Sequence, residues 1–290
     1  MTATTDHATD TDPAATDTDP AATDTDPAVF VAEWEAWHAA REAKCRDPHG
    51  WVAITALHWL AQEPATLDGV PGRWSSVDGT VRIEAATADG ITLPDGSAVD
   101  GAAELTPVEG ASGLSVRAGD LLLEVARRTG HDIVRVHDPK APQLAAFTGI
   151  PTFAPDPAWV AQGRIERFDA PQTVTTGAVV DGLEHHHQAI GTVSFTLGGI
   201  EQALVVFSDG PGAKVLFRDA TSGVTTYPGA RTLALGPIAE DGIVNLDFNR
   251  AANLPCGLTQ FATCPVAPAE NTLTVAVEAG EKWGPARADV

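Results

Sequence analysis

From Gly50 onward, no stretch of this chain keeps the 3.6-residue apolar period of a helix. Short alternating or apolar runs are instead separated by Gly, Asp, Pro and Ser. "WVAITALHWL", "TVRIEA", "GITLPDG", "LSVRAGDLLLEVARR" and "DIVRVHD" are such runs, with "PDGS" and "GD" standing where hairpins need positive φ. Strand signals at this spacing predict an antiparallel, sandwich-like module over 47–140. A proline-rich crossover follows at 141–159. Beyond it, "GRIERF", "QTVTT", "GTVSFTLGG", "IEQALVVFSD", "AKVLFRD", "RTLALG", "IVNLDF" and "NTLTVAVEAGE" predict a second antiparallel module over 160–285, curled into a barrel or half-barrel. "SFTLGGIEQALVVF" is the clearest hairpin, with Gly198-Gly199 joining two β-rich arms. The expected class is mainly β: two antiparallel modules, one N-terminal helix and a disordered acidic tail.

The tail is read from "ATDTDPA", repeated unchanged at 8–14, 15–21 and 22–28. It has no large apolar residue to bury, so ordering it would cost entropy with nothing to offset the loss. Residues 1–28 are therefore set outside the fold. In 29–46, Phe30, Trp34, Trp37 and Arg41 fall at i, i+4, i+7 and i+11, one stripe of a helix that docks on the main body.

Charge excludes several partners. The chain has 39 acidic against 18 basic residues, a net charge of -21, and no basic run. Nucleic-acid affinity comes mainly from Lys and Arg neutralising phosphates, so DNA, RNA and anionic membranes are not expected partners. No apolar run reaches the roughly 18 residues of a membrane helix. The N-terminus lacks the basic and apolar regions of a signal peptide. Three cysteines, Cys45, Cys256 and Cys264, do not make a disulfide framework, and a cytoplasmic setting is expected.

Three stretches stand out: "FRDATSGVTTYPGAR" (217–231), "LDFNRAANLPC" (246–256) and "CPVAPAENTLTVAVEAGEK" (264–282). Together they resemble the signature of a prokaryotic family catalogued as domain of unknown function family 1684. "GWVAITALHWL", "IVRVHDP" and "FTGIPTFAPDP" stand where that family has comparable segments. The resemblance runs over roughly 30–283, with Leu254 where a proline is usual and Arg231 one place later than the commonest spacing. The family carries no established activity, so the resemblance implies a fold and a place for the site, not a reaction.

Within these stretches, Arg218 and Arg231 on adjoining strands could grip an anion bidentately, with Asp219 orienting one of them. The alternative is an internal salt bridge fixing the turn. Thr221 and Thr226 add hydroxyls, and Tyr227, the sole tyrosine, either donates a proton or packs. Asp247 and Asn249 are expected on one face of a strand, with Asn253 and Cys256 in the following loop. They either line a polar pocket or tie that loop down. Glu270 and Asn271 are expected to begin the last strand, with Glu270 a possible base. Cys256 and Cys264, eight residues apart, lack the close pairing of a zinc site, and of the run His185, His186 and His187 only the first and third share a face, so no metal is assigned. No Walker loop, GxGxxG, GxSxG or HExxH occurs, and no cofactor is expected.

The leading expectation is an enzyme acting on a small anionic metabolite by metal-independent hydrolysis. Arg218 and Arg231 would hold the anion, and Tyr227, Asp247 or Cys256 would act as acid, base or nucleophile. The alternatives are a non-enzymatic small-molecule or peptide binding module, and a motif set that only clamps loops.

Overall fold

A computed structural model describes residues 26–284. The acidic repeat lies outside the described residues apart from Asp26, Pro27 and Ala28. These three belong to the fold, contrary to expectation. Helix α1 is Pro27–Cys45, and the Asp26 carboxylate accepts the Ala28 amide at 2.9 Å as its cap. Proline at the first helical position loses no hydrogen bond, which is why the helix can start inside the repeat.

The strands are β1 (Ile54–Trp59), β2 (Ala65–Leu67), β3 (Val70–Val77), β4 (Thr80–Ala85), β5 (Ile91–Thr92), β6 (Gly101–Leu105), β7 (Leu114–Ala118), β8 (Leu121–Arg128) and β9 (His131–His137). A short helix α2 (Pro142–Ala146) follows. The remaining strands are β10 (Val160–Gly177), β11 (Glu184–Leu197), β12 (Ile200–Asp209), β13 (Gly212–Phe217), β14 (Arg231–Ala234), β15 (Ile243–Asp247) and β16 (Ala252–Asn253). All strand pairings between them are antiparallel.

β1-β9-β8-β7-β5 form one sheet and β2-β3-β4-β6 another. They share one core, in which Trp74, Val81 and Ile83 from the second meet Val116, Leu123, Val125, Val134 and Val136 from the first. This is the two-layer arrangement that alternating strands require. The third sheet runs β15-β10-β11-β12-β13-β14-β16. β15 and β16 are its open edges, yet Leu246 from one end and Leu233 from near the other lie in one core, so the sheet curls into a half-barrel. Its central hairpin turns at Gly198 and Gly199, both at positive φ, with Leu197 opposite Ile200.

Two local expectations change. "GRIERF" and "QTVTT" are parts of the single strand β10, with a break in register against β11 between Arg167 and Gln172. "NTLTVAVEAGE" forms no strand, and Glu270 and Asn271 lie in a 3-10 turn, Ala269–Asn271. Leu273, Val277 and Ala279 do enter the core. Their alternation mimics a strand, but the carbonyls of Val277 and Ala279 are taken by the Arg231 side chain rather than by a ladder partner.

Candidate functional site

The three C-terminal motifs converge on the chain's own backbone. Phe217 pairs with Arg231 across β13 and β14, and Arg231 pairs with Asn253 on β16. The Arg231 guanidinium donates to Asp219 Oδ2 at 2.7 Å, to the Val277 carbonyl at 3.0 Å and to the Ala279 carbonyl, and lies over the Phe217 ring. Asp219 Oδ1 accepts the Thr221 amide and hydroxyl at 2.7 and 2.6 Å and the Val277 amide at 3.3 Å. Thr221 and Thr226 share a hydroxyl–hydroxyl bond of 2.8 Å. Burial pushes the Arg231 guanidinium down from its usual range, and the Asp219 carboxylate offsets part of that.

Arg218 does not join Arg231. Its side chain is exposed, while its backbone pairs with Thr272. The physical reason is the β alternation: successive residues face opposite sides, so Arg218 points outward where Phe217 and Asp219 point inward. Glu270 is also exposed. Asn271 is buried and bonds Val205 through both its amide and its carbonyl, as well as the Leu216 carbonyl, locking β12 and β13 to the turn.

Asp247 and Asn249 do not share a strand face, because β15 ends at Asp247. That residue caps the 3-10 turn Phe248–Arg250, its carboxylate accepting the Asn249 amide at 3.1 Å. Asn249 bonds the Asp156 backbone on both sides, and its carbonyl accepts the Trp34 indole at 2.8 Å. Asn253 donates to Glu281 and to the Lys282 carbonyl, and Arg41 from α1 bonds both Glu281 and the Asn253 carbonyl. Cys256 and Cys264 face each other, each amide donating to the other's sulfur at 3.2 Å, in a buried cluster with Tyr227 and Ala262. The Cys256 side chain and burial push the Cys264 thiol up, away from the thiolate a nucleophile needs.

A cleft of about 450 Å³ lies elsewhere, on the outer face of the five-stranded sheet, where His49, Trp51, Glu124, Arg128 and His137 meet the Gly110–Gly113 loop. β8 and β9 turn Leu123, Val125, Val134 and Val136 into the sandwich core. The alternate positions Glu124, Arg128, Arg135 and His137 therefore share the other face, with Glu124 opposite Arg135 and Leu122 opposite His137. Arg135, 1% exposed, donates through one nitrogen to both Glu124 oxygens at 3.0 Å. Its other nitrogens reach the Phe261 carbonyl at 3.0 Å and the Thr263 hydroxyl at 2.9 Å, and it lies over the Trp51 ring. The loop between Cys256 and Cys264 thus anchors the cleft's floor.

Burial opposes ionisation of Glu124, but the proximity of His137 and the pair with Arg135 outweigh it and hold the carboxyl at about 2. Arg128 Nη1 donates to the Ala111 and Arg127 carbonyls, and its Nη2 lies 3.9 Å from Glu124 Oε1. Burial first, and the neighbouring Arg135 second, push Arg128 down. The His137 Nδ1 stands 3.1 Å from the Gly50 carbonyl, while its buried Nε2 has no hydrogen-bond partner and lies 3.5 Å from Glu124 Oε2.

Residues 145–282 match the family model described as a protein of unknown function, DUF1684. The resemblance read from the motifs is thereby shown for that part of the chain. A structure solved by NMR in solution, of an uncharacterised protein from Haloarcula marismortui, is similar at 29% identity over 50% of this chain and 82% of its own, with a TM-score of 0.42. No curated protein matches.

The DUF1684 match contains every motif residue of the clamp. The cleft is lined from residues 49–137 and borrows only Phe261 and Thr263 from the DUF1684 segment, through Arg135. Alternation in "DIVRVHD" was enough to place Arg135 and His137 on one face. Nothing in sequence ties that face to a loop more than a hundred residues later. His185 and His187 do stack, but His185 bonds the Thr263 carbonyl and His187 the Thr176 hydroxyl. Among the described residues, no group of three or more His, Cys, Asp or Glu is placed to hold a metal ion. No helix among them is long and apolar enough to cross a membrane.

Proposed function

We propose that this protein binds a small anionic molecule, and that the site is the cleft over Glu124, Arg128 and His137 rather than the clamp of signature motifs. The supporting observation is a charge imbalance: the single carboxylate of Glu124 is shared between Arg135, which bonds both its oxygens, and Arg128, which lies at its edge. One partly desolvated guanidinium is left to face the cleft, and an anion there would relieve the repulsion between the two arginines. Glu109 attracts Arg128 through space, but its oxygens are bonded to the Thr129 and Gly130 amides and it lies beside Arg127. Trp51 supplies an apolar wall.

The hydrolytic reading draws no support from this geometry. Tyr227 and Cys256 are buried behind Trp51, in the cluster that backs the cleft wall, and Asp247 caps a turn. The test is amide and indole NMR of the whole chain titrated with inorganic phosphate and with phenylacetate. Binding at the cleft shifts the Trp51 indole and the Gly110 and Gly113 amides, and Arg128→Gln abolishes those shifts. Shifts confined to the neighbourhood of Arg218, or none with either anion, would overturn the proposal.

A further inference from the structure

We infer that Cys256 and Cys264 are an oxidisable pair, which a low-molecular-weight disulfide converts into an internal disulfide behind the cleft wall. The inference does not depend on what the cleft binds. The two residues are eight apart on one loop, each amide donates to the other's sulfur at 3.2 Å, and the side chains also bond each other. Sulfurs so interleaved with each other's backbone meet the first demand of a disulfide, that the side chains point together across a short gap. Closing the bond asks for side-chain rotation rather than a new backbone path. Cys45 packs in a different cluster, with Val52, Ile150 and Leu258, and serves as an internal control.

Cys256 and Cys264 are only 3% and 7% exposed, so a reagent meets them when the loop between them opens. Its tip is the place to open, since Gln260 is exposed and Phe261 only partly buried. In the opened loop one cysteine, as its thiolate, attacks a sulfur of the reagent and expels one reagent thiolate, leaving a mixed disulfide. The second cysteine thiolate attacks the protein-bound sulfur and expels the other half. Two electrons pass from the pair to the reagent, and the two cysteine protons end on the two thiols released. Reclosure then buries the product away from reductants.

The bond would be felt at the cleft. Thr263, next to Cys264, holds Arg135 by its hydroxyl, and Phe261 holds it by its carbonyl. Trp51 belongs both to the cysteine cluster and to the cleft wall. The disulfide therefore fastens the loop on which the cleft's buried arginine rests.

The test equilibrates the full chain, without denaturant and in urea, with mixtures of reduced and oxidised glutathione, then alkylates it and measures intact mass. In the native chain two thiols are expected to disappear together, with loss of two hydrogens, no bound glutathione, and Cys45 alone alkylated. Chymotrypsin, which cuts after Phe261, should then release two peptides linked through Cys256 and Cys264. Half-conversion should need at least tenfold less oxidised glutathione in the native chain than in urea, since a fold that holds the sulfurs together favours the bond. The Trp51 indole should shift in the NMR spectrum on oxidation of the wild type and stay in place for Cys264→Ser. Glutathione left on a single cysteine, a link to Cys45, a native requirement equal to or above that in urea, or an indole shift that persists in Cys264→Ser overturns the inference. Should Cys264→Ser fail to fold, the wild-type conversion still decides.

Discussion

Arg231 and Asp219, twelve residues apart in sequence, meet at 2.7 Å with side chains 1% and 0% exposed. Asp219 also takes the Val277 amide and Thr221, and the two terminal nitrogens of Arg231 take the Val277 and Ala279 carbonyls, while its buried Nε has no partner. A pair so enclosed fastens a segment of chain. Removing one partner of a buried pair leaves the other charge uncompensated, so Arg231→Met is expected to lower unfolding free energy by about 3–5 kcal/mol in urea. Anion binding at the cleft should survive in the folded fraction. Full stability with lost binding would show that the clamp reading is wrong.

The fastened segment has its own weak point. Gly280 sits at φ +75, and a Cβ there would strike the Ala251 carbonyl. Gly280→Ala is expected to cost roughly 1–3 kcal/mol, visible as a lower melting temperature. An unchanged Tm would mean that the segment is free to move aside.

Acid should destabilise the fold in two windows. Burial first, and the neighbouring His185 second, depress His187 from its usual 6.5 to about 4. The folded chain then refuses a proton that the unfolded chain accepts, and stability falls as pH drops from 6.5 towards 4. Glu124 is depressed from 4.5 to about 2. Its contribution, on the order of 3 kcal/mol, is present above 4.5 and lost as pH falls towards 2. Denaturant melts across pH should show His187→Gln flattening the first window and Glu124→Gln the second.

Helix α1 is held through Trp34 to the Asn249 carbonyl and through Arg41 to Glu281 and the Asn253 carbonyl. Arg41→Met leaves Glu281, 0% exposed, with only the Asn253 amide. Hydrogen exchange should then speed up in α1 by tenfold or more while the sheet amides keep their protection, since about 1.4 kcal/mol of local opening energy is a factor of ten. Uniform acceleration across the chain would instead mean that the helix is part of the global unfolding unit.

The sheets were legible because alternation and turn residues report directly on a half-buried strand, as in "SFTLGGIEQALVVF". The docking stripe of α1 was legible for the same reason: Trp34 and Arg41 lie on the face that the period predicts. The clamp was not, because a guanidinium bonds a backbone carbonyl as readily as a ligand oxygen, and Arg231 looks alike in either role. The missing last strand misled for a related reason. Leu273, Val277 and Ala279 alternate into the core whether their carbonyls meet a strand or an arginine. The cleft was not legible, because alternation puts Arg135 and His137 on one face without saying that the loop carrying Phe261 and Thr263 packs against it.

Arg41 and Glu281 stand 240 residues apart. During synthesis the arginine leaves the ribosome long before its carboxylate exists. The helix can meet Ile150 and Asn249 earlier, but its charge latch must wait until almost all of the described chain has emerged. The signature motifs close a latch whose final piece is delivered late. A chain cut short before that point would carry every strand and still hold its helix loosely, the kind of intermittently exposed apolar surface by which cellular proteases and chaperones tell an unfinished product from a finished one.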